Sequence, residues 1–95
     1  MAIPLRKPNE IDKLRIANIA VAKTLNYLKT TVKAGMTLKQ VDEMGEKFLR
    51  DLGARPSFKG LYGFPAAICT SLNEVIIHGI PTDVVLKEGD ILGID

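Results

Sequence analysis

Two side chains near the end of the sequence have the chemistry of an active site, His78 and Asp95. His78 is the single histidine of the chain and follows a run of branched apolar residues in "EVIIHGIP". Histidine is the side chain most often used for proton transfer near neutral pH. A lone histidine at the rim of a core is, however, more often structural, with one ring nitrogen bonded to a backbone carbonyl. The position of His78 permits either role.

Asp95 ends the apolar stretch "DILGID". In a strand, alternate side chains share a face, so Ile91, Gly93 and Asp95 are predicted to point one way while Leu92 and Ile94 point the other. A carboxylate there must be solvated, hydrogen-bonded or bound to a cation, because an unpaired buried carboxylate is costly. The solvated or capping role is the common one, and a site for a hard divalent cation is the alternative.

The stretch "FKGLYGFP", residues 58–65, is rich in glycine and aromatic residues and is called the aromatic loop below. Its apolar side chains, Phe58, Leu61, Tyr62 and Phe64, either roof the core or form the wall of an apolar pocket. Cys69 is the one cysteine, so it cannot form an internal disulfide, and it is expected to behave as a small buried hydrophobe.

The elements that must position these residues begin with two helices. Apolar residues recur every three or four positions from Ile11 to Val32, which predicts an amphipathic helix that starts at Pro8 or Asn9 and ends at a left-handed Gly35. Thr37 and Gln40 form a capping-box pattern for a second helix that Gly53 closes. Its predicted inner face consists of Leu38, Val41, Met44, Phe48, Leu49 and Leu52.

Three strands are predicted after the aromatic loop, in "AAICTSL", "EVIIHGI" and "DILGID", with a hairpin turn at Asn73 between the first two. In the second strand, Ile76 and His78 would share one face and Val75 and Ile77 the other. His78 and Asp95 would then end neighbouring strands and face one cavity beneath the aromatic loop. The order of elements predicts the α+β class, with two helices packed on an incomplete antiparallel sheet.

Composition excludes several classes of protein. With 46% hydrophobic and 25% charged residues, the chain is typical of a globular domain, and its net charge of +2 is interspersed, so no nucleic-acid specificity is expected. No apolar run approaches the roughly 20 residues that span a bilayer, and the single cysteine fits a reducing compartment, so a cytoplasmic location is expected. The chain stops in the middle of a predicted strand, which indicates part of a longer protein.

The blocks "GLYGFPAAICTSLNEVIIHGIP" and "LKEGDILGID", with the opening "MAI" and the helix start "IDKLRIA", resemble the N-terminal half of a type I methionine aminopeptidase. The resemblance implies the pita-bread (creatinase/aminopeptidase) fold, with residues 1–95 as the N-terminal half of a single catalytic domain whose remainder is absent. It implies removal of the initiator methionine from nascent polypeptides with a small second residue, and possible contact with the ribosome. Two divalent metal ions (cobalt, manganese, iron or zinc) would act, and since four of the five metal ligands would lie later in the chain, residues 1–95 alone would be inactive.

Residue by residue, the resemblance makes Asp95 the first metal ligand and His78 a catalytic residue that contacts the substrate beside the scissile amide. The pocket for the methionine side chain would be lined by Phe58, Leu61, Phe64, Cys69 and His78. The backbone carbonyls of Asn73 and Val75 would hold a monovalent cation. Several relatives carry tyrosine in place of Leu61 and Phe64 and cysteine in place of Phe58, so the pocket stays apolar but differs in shape. The alternatives are a non-catalytic pita-bread module that binds a peptide or ribosomal surface, and a free-standing small α+β interaction domain.

Overall fold

The computed structural model describes residues 3–95 and contains two helices and two short strands. Helix α1 is Pro8–Thr31 and helix α2 is Leu38–Asp51; a single 3-10 turn, Leu61–Gly63, lies in the aromatic loop. Strands β1 (Thr70–Leu72) and β2 (Leu92–Ile94) form an antiparallel pair. The predicted α+β class, with two helices packed on a small antiparallel sheet, is confirmed. Met1 and Ala2, part of the opening that contributes to the resemblance, lie outside the described residues.

Helix α1 starts where the sequence predicts and ends earlier. Pro8 is its first residue, and the Glu10 carboxylate accepts a hydrogen bond of 2.8 Å from the backbone N–H of Lys7, which offsets the missing side-chain cap. The helix ends with Val32 as its C-cap, so the prediction that Gly35 caps it is wrong. Gly35 does have a left-handed φ of 96°, but its N–H donates to the carbonyl of Leu86 at 2.8 Å. Gly35 therefore lies in the link between the helices and bonds that link to the segment that contains Leu86.

The apolar stripe of α1 is covered only near its C-terminal end. Thr24 and Leu28 are its buried residues, whereas Ile11, Leu14 and other predicted stripe residues keep more than 40% of their surface exposed. The reason is positional: the core formed by residues 3–95 lies beneath the last two turns of the helix and does not reach the earlier ones. Neither α1 nor α2 has an apolar stretch long enough to cross a membrane.

Helix α2 has the predicted capping box. Thr37 Oγ1 accepts from the N–H of Gln40 at 3.1 Å, and the Gln40 side chain accepts from the N–H of Thr37 at 2.8 Å. Gly53, at φ 82°, follows the helix as expected. Of the predicted inner face, Leu38 and Val41 are buried, while Leu52 is exposed.

The core joins α2 to the segment that precedes β1. It consists of Leu28, Leu38, Val41, Ala67, Ile68 and Leu86. The carboxylate of Asp42 accepts hydrogen bonds from the backbone N–H groups of Ala67 and Ile68, both at 2.9 Å. One charged side chain thus satisfies two backbone donors of buried residues that no strand pairs, and fixes this segment against the helix.

The predicted strand "EVIIHGI" is wrong. Residues 74–80 form no strand, and β1 pairs instead with β2, Ser71 opposite Gly93. Asn73 does make the predicted turn, at φ 52°, but the chain then returns beside β1 with one backbone hydrogen bond to it, from Thr70 N to Gly79 O at 2.8 Å. The predicted sharing of one sheet face by Val75 and Ile77, and of the other by Ile76 and His78, is therefore wrong. A single hydrogen bond does not form the ladder that such alternating faces require.

Candidate active site

The aromatic loop is a series of tight turns. Gly60 and Gly63 have φ of 84° and 78°, and Tyr62 has a left-handed φ of 50° and is fully exposed. The rings of Phe58 and Phe64 pack with centroids 6.1 Å apart and planes tilted by 60°, a favourable edge-to-face arrangement. The loop thus presents a paired aromatic surface.

An apolar pocket of about 440 Å³ lies between this loop and the sheet. All the side chains that the resemblance assigns to a methionine pocket line it, namely Phe58, Leu61, Phe64, Cys69 and His78. Three further side chains line it, Tyr62, Pro65 and Ile80. Tyr62 is among the aromatic-loop residues predicted either to roof the core or to form a pocket wall, and Pro65 ends the same loop. Ile80 carried no signal in the sequence without the path of residues 74–80.

Cys69 and Asp95 face each other across the two strands. The N–H of Cys69 donates to the Asp95 carbonyl at 2.7 Å and the N–H of Asp95 donates to the Cys69 carbonyl at 3.1 Å, so the pair extends the β1–β2 ladder by one step. Directly opposed residues lie on the same face of a sheet. Burial, and then the charge of Asp95, raise the pKa of the Cys69 thiol above its ordinary value of 9.0. The thiol therefore remains protonated at neutral pH and suits an apolar wall better than a nucleophile.

His78 lies between the apolar pocket and a second, smaller cleft. This cleft of about 190 Å³ is lined by His78 and Asp95 together with Ser71 and Gly93. The imidazole is exposed and makes no hydrogen bond with any of residues 3–95, unlike a structural histidine anchored to a carbonyl. His78 also has a left-handed φ of 58°, an uncommon conformation for a residue with a Cβ. Its ring is thus available to a ligand that spans both clefts.

Gly79 explains how His78 is held there. The N–H of Gly79 donates to Ser71 Oγ at 3.1 Å, and its carbonyl accepts from Thr70 N at 2.8 Å. A Cβ on Gly79 would lie 2.1 Å from the carbonyl oxygen of Thr70. Only glycine lets the backbone come this close to β1, which accounts for the glycine after the histidine in the sequence.

Asp95 is suited to contribute to a metal site but does not form one with the other described residues. Its carboxylate is an exposed hard oxygen donor at the end of β2, beside the space that Gly93 leaves. Within residues 3–95, no group of three histidine, cysteine, aspartate or glutamate side chains is close enough to share a metal ion. A metal site that used this carboxylate would need further ligands from outside residues 3–95.

Asn73 has a structural role beyond the turn predicted at this position. Its Oδ1 accepts from the N–H of Ile91 at 2.9 Å, its Nδ2 donates to Asp90 at 3.2 Å, and its own N–H donates to the Ile91 carbonyl at 2.8 Å. Hydrogen bonds from the Lys87 backbone and from Asn73 lower the pKa of Asp90. Asn73 thus joins the segment that carries His78 to the turn that leads into β2. Val75, the other residue assigned to a monovalent cation, donates its N–H to the carbonyl of Leu72 at 3.0 Å.

Comparison with known proteins identifies relatives over the whole chain. Residues 12–95 match the sequence profile of metallopeptidase family M24. The chain is 54% identical over 95 residues to the methionine aminopeptidase of Helicobacter pylori (strain 26695), which covers 100% of this chain and 38% of that protein. It is 46% identical over 90 residues to methionine aminopeptidase 1 of Bacillus subtilis, covering 95% of this chain and 36% of that protein.

Solved structures agree with the sequence relatives. The crystal structure of methionine aminopeptidase from Rickettsia prowazekii superimposes with a TM-score of 0.94 at 36% identity, over 99% of this chain and 38% of that chain. The enzyme from Thermotoga maritima gives 0.93 at 35% identity, over 98% and 38%. The chain therefore spans less than two fifths of the length of these relatives. The predicted resemblance and the pita-bread fold are confirmed, and the chain belongs to metallopeptidase family M24.

Proposed function

We propose that the protein removes the initiator methionine from nascent polypeptides as a metal-dependent aminopeptidase, and that residues 1–95 form the N-terminal half of its catalytic domain. One observation carries the proposal: His78 lies between an apolar pocket and a cleft that contains Asp95. A substrate whose first side chain fills the pocket would place its first peptide bond beside the imidazole and the carboxylate.

The pocket suits a methionine side chain. A thioether is flexible and polarisable and makes favourable contacts with aromatic edges, which Phe58 and Phe64 provide. Cys69 adds a second polarisable sulfur, kept protonated by its burial. Specificity for methionine would thus come from shape and dispersion, with Leu61 in place of a tyrosine making the wall wholly apolar at that position.

The proposed metal role of Asp95 rests on its donor chemistry. Its carboxylate would be one ligand of a pair of divalent ions (cobalt, manganese, iron or zinc), and the other ligands would come from outside residues 3–95. When bound, such ions polarise the scissile carbonyl and supply hydroxide at neutral pH. The hydrogen bonds between Cys69 and Asp95 hold the backbone that carries this carboxylate at a fixed position beside the pocket.

His78 would donate a hydrogen bond to the substrate beside the scissile amide and stabilise the tetrahedral intermediate. A donor fixed before the reaction acts on charge that develops in the transition state, and this is worth about 100-fold to 1,000-fold in rate. The anchoring of Gly79 to Ser71 and Thr70 supplies the required rigidity. The carbonyls of Asn73 and Val75 are proposed to hold a monovalent cation, which would further stiffen this segment.

The proposed partners are nascent polypeptides with a small second residue, met in the cytoplasm and in contact with the ribosome. The alternative function is a pita-bread module that binds a peptide or ribosomal surface without hydrolysis. This alternative would hold if the remainder of the protein lacks the ligands that would complete a metal site with Asp95. The two functions differ in whether peptide bound in the pocket is cleaved.

The test uses the product of the complete reading frame with cobalt or manganese and the peptide Met-Ala-Ser. We expect hydrolysis, a loss of about 100-fold or more in kcat for His78→Ala, and loss of metal binding by calorimetry for Asp95→Asn. Glu74→Ala, which changes an exposed residue of the same segment, is the matched control. An inactive protein, or full activity in His78→Ala, would contradict the proposal; binding of the peptide without cleavage would favour the alternative. Residues 1–95 alone are expected to be inactive.

A further inference from the structure

The aromatic loop forms one wall of the pocket, yet among residues 3–95 its backbone is hydrogen-bonded only to itself. Within residues 3–95, the backbone N–H groups of the loop donate to loop carbonyls: Leu61 to Phe58, Phe64 to Leu61 and Gly60 to Phe64, each at 2.9 Å. Such local turns fix the shape of the loop. They do not fix its position relative to the helices or the sheet.

A single side chain of the loop is hydrogen-bonded to the rest of the described structure. Lys59 Nζ donates to both carboxylate oxygens of Glu46 on α2, at 2.9 and 3.1 Å. Arg50 Nε donates to the same carboxylate at 2.9 Å, so two cationic side chains hold the Glu46 carboxylate in place. The Glu46 side chain is 18% exposed, whereas the partners of the nearby Lys47–Asp51 pair are 78% and 64% exposed. The Glu46 pair is thus the better shielded of the two.

The two cationic partners favour the ionised form of Glu46. The hydrogen bonds from Lys59 and then from Arg50 lower the pKa of Glu46 below its ordinary value of 4.5. The carboxylate is therefore ionised across the neutral range, and the ion pair persists at the pH at which an intracellular peptidase would be assayed.

Lys59 is adjacent in sequence to Phe58, which lines the pocket and packs on Phe64. We propose that the Lys59–Glu46 ion pair positions the aromatic loop as the outer wall of the apolar pocket, and that Lys59 and Glu46 are positioning residues which set the affinity for the first side chain of the substrate. This inference rests on the proposed function for its substrate, but the position of the loop can be tested without it.

Cys69 supplies an internal probe, since it is 2% exposed and lines the same pocket from outside the aromatic loop. In the product of the complete reading frame, alkylation of Cys69 by iodoacetamide at pH 8.5 is followed by mass spectrometry of its peptide. We expect Lys59→Met to raise the rate about threefold, in the range for one partly exposed ion pair. Lys59→Arg should restore the slow rate. Lys47→Met, which breaks an exposed pair on α2 away from the loop, should leave it unchanged.

Salt gives a second comparison. At 1 M sodium chloride, charges are screened over about 3 Å, so the wild-type rate should approach that of Lys59→Met, whose own rate should not change. Equal rates for Lys59→Met and the wild type at low salt, or an equal increase in Lys47→Met, would overturn the proposed role of the ion pair.

Kinetics show what the loop position does. With Met-Ala-Ser, Lys59→Met should raise KM about threefold with kcat unchanged, because a loosened pocket wall weakens ground-state and transition-state binding alike. A fall in kcat at constant KM would overturn the inference. If no protein hydrolyses the peptide but the alkylation rates differ as expected, the proposed function fails while the positioning of the loop stands.

Discussion

Gly79→Ala is the substitution that most directly tests how the backbone positions His78. The added Cβ would lie 2.1 Å from the Thr70 carbonyl oxygen, 2.7 Å from the Thr70 carbonyl carbon and 2.9 Å from the Ser71 Cα. All three are backbone atoms, so no side chain can rotate away. Restoring ordinary van der Waals separation requires the two chain segments to move apart by about 1 Å or more.

That movement breaks the contacts that hold the segment. The bonds from Thr70 N to Gly79 O and from Gly79 N to Ser71 Oγ are 2.8 and 3.1 Å long, and each contributes about 1 kcal/mol net. Thr70 is 2% exposed, so its N–H would also lose its acceptor in a place that water reaches poorly. We expect the free energy of unfolding to fall by about 2–4 kcal/mol. Displacing His78 by about 1 Å should lower kcat/KM about 100-fold.

The measurements are urea unfolding followed by circular dichroism, hydrogen exchange of the Thr70 amide, and steady-state hydrolysis of Met-Ala-Ser. Gly93→Ala is the matched control for stability, because a Cβ there meets its nearest atoms at an ordinary 3.6 Å. It should change the free energy of unfolding by about 1 kcal/mol or less. The reasoning is refuted if Gly79→Ala is as stable as Gly93→Ala and its Thr70 amide still exchanges slowly. The close approach at Gly79 would then not position His78.

Two further predictions concern contacts of α2. Asp42→Ala should lower the free energy of unfolding by about 2–4 kcal/mol, because two backbone N–H groups of buried residues lose a charged acceptor. Asp42→Asn keeps an acceptor oxygen and should cost about half as much. Equal urea midpoints for the two variants would contradict this prediction. Because the folded-state pKa of Glu46 is lowered, the stability that its ionised form contributes is fully present above its ordinary pKa of 4.5 and is lost as the pH falls through the lowered value. The difference in melting temperature between the wild type and Glu46→Gln should therefore be constant from pH 8 to 6 and shrink toward pH 3, and a difference that grows in acid would refute the assignment.

The helices could be predicted from the sequence because their signals are local. Pro8 at the first turn and the Thr37 capping box need only neighbouring residues, and both appear as predicted. The end of α1 could not be predicted, because Gly35 has the left-handed φ expected of a cap but bonds to Leu86, more than fifty residues away. The extent of burial along the apolar stripe of α1 could not be predicted either. Periodicity shows which face of a helix is apolar, but it does not show how far along the helix the core extends.

The strands show the limit of local propensity more clearly. "EVIIHGI" has the branched residues of a strand, but Ile76 and Ile77 remain 89% and 66% exposed and the segment forms no ladder. Next to the β1–β2 pair, the Asn73 side chain accepts a hydrogen bond from the backbone N–H of Ile91, eighteen positions away, a contact that local propensity does not indicate. The acceptor role of Asp42 was equally invisible, since nothing in its sequence surroundings distinguishes it from the exposed Glu43 beside it.

The arrangement that results joins pocket and cleft through main-chain contacts. Cys69, on the pocket wall, and Asp95, in the cleft, exchange two backbone hydrogen bonds, so the spacing of the two clefts is set by one step of a β ladder. His78 is fixed between them by Gly79, which touches the same strand one residue further along. A change in any side chain of the pocket would alter its shape while leaving the distance from pocket to carboxylate intact. The shape of the pocket and its distance from the Asp95 carboxylate are therefore set by different parts of the chain, the first by side chains and the second by the backbone.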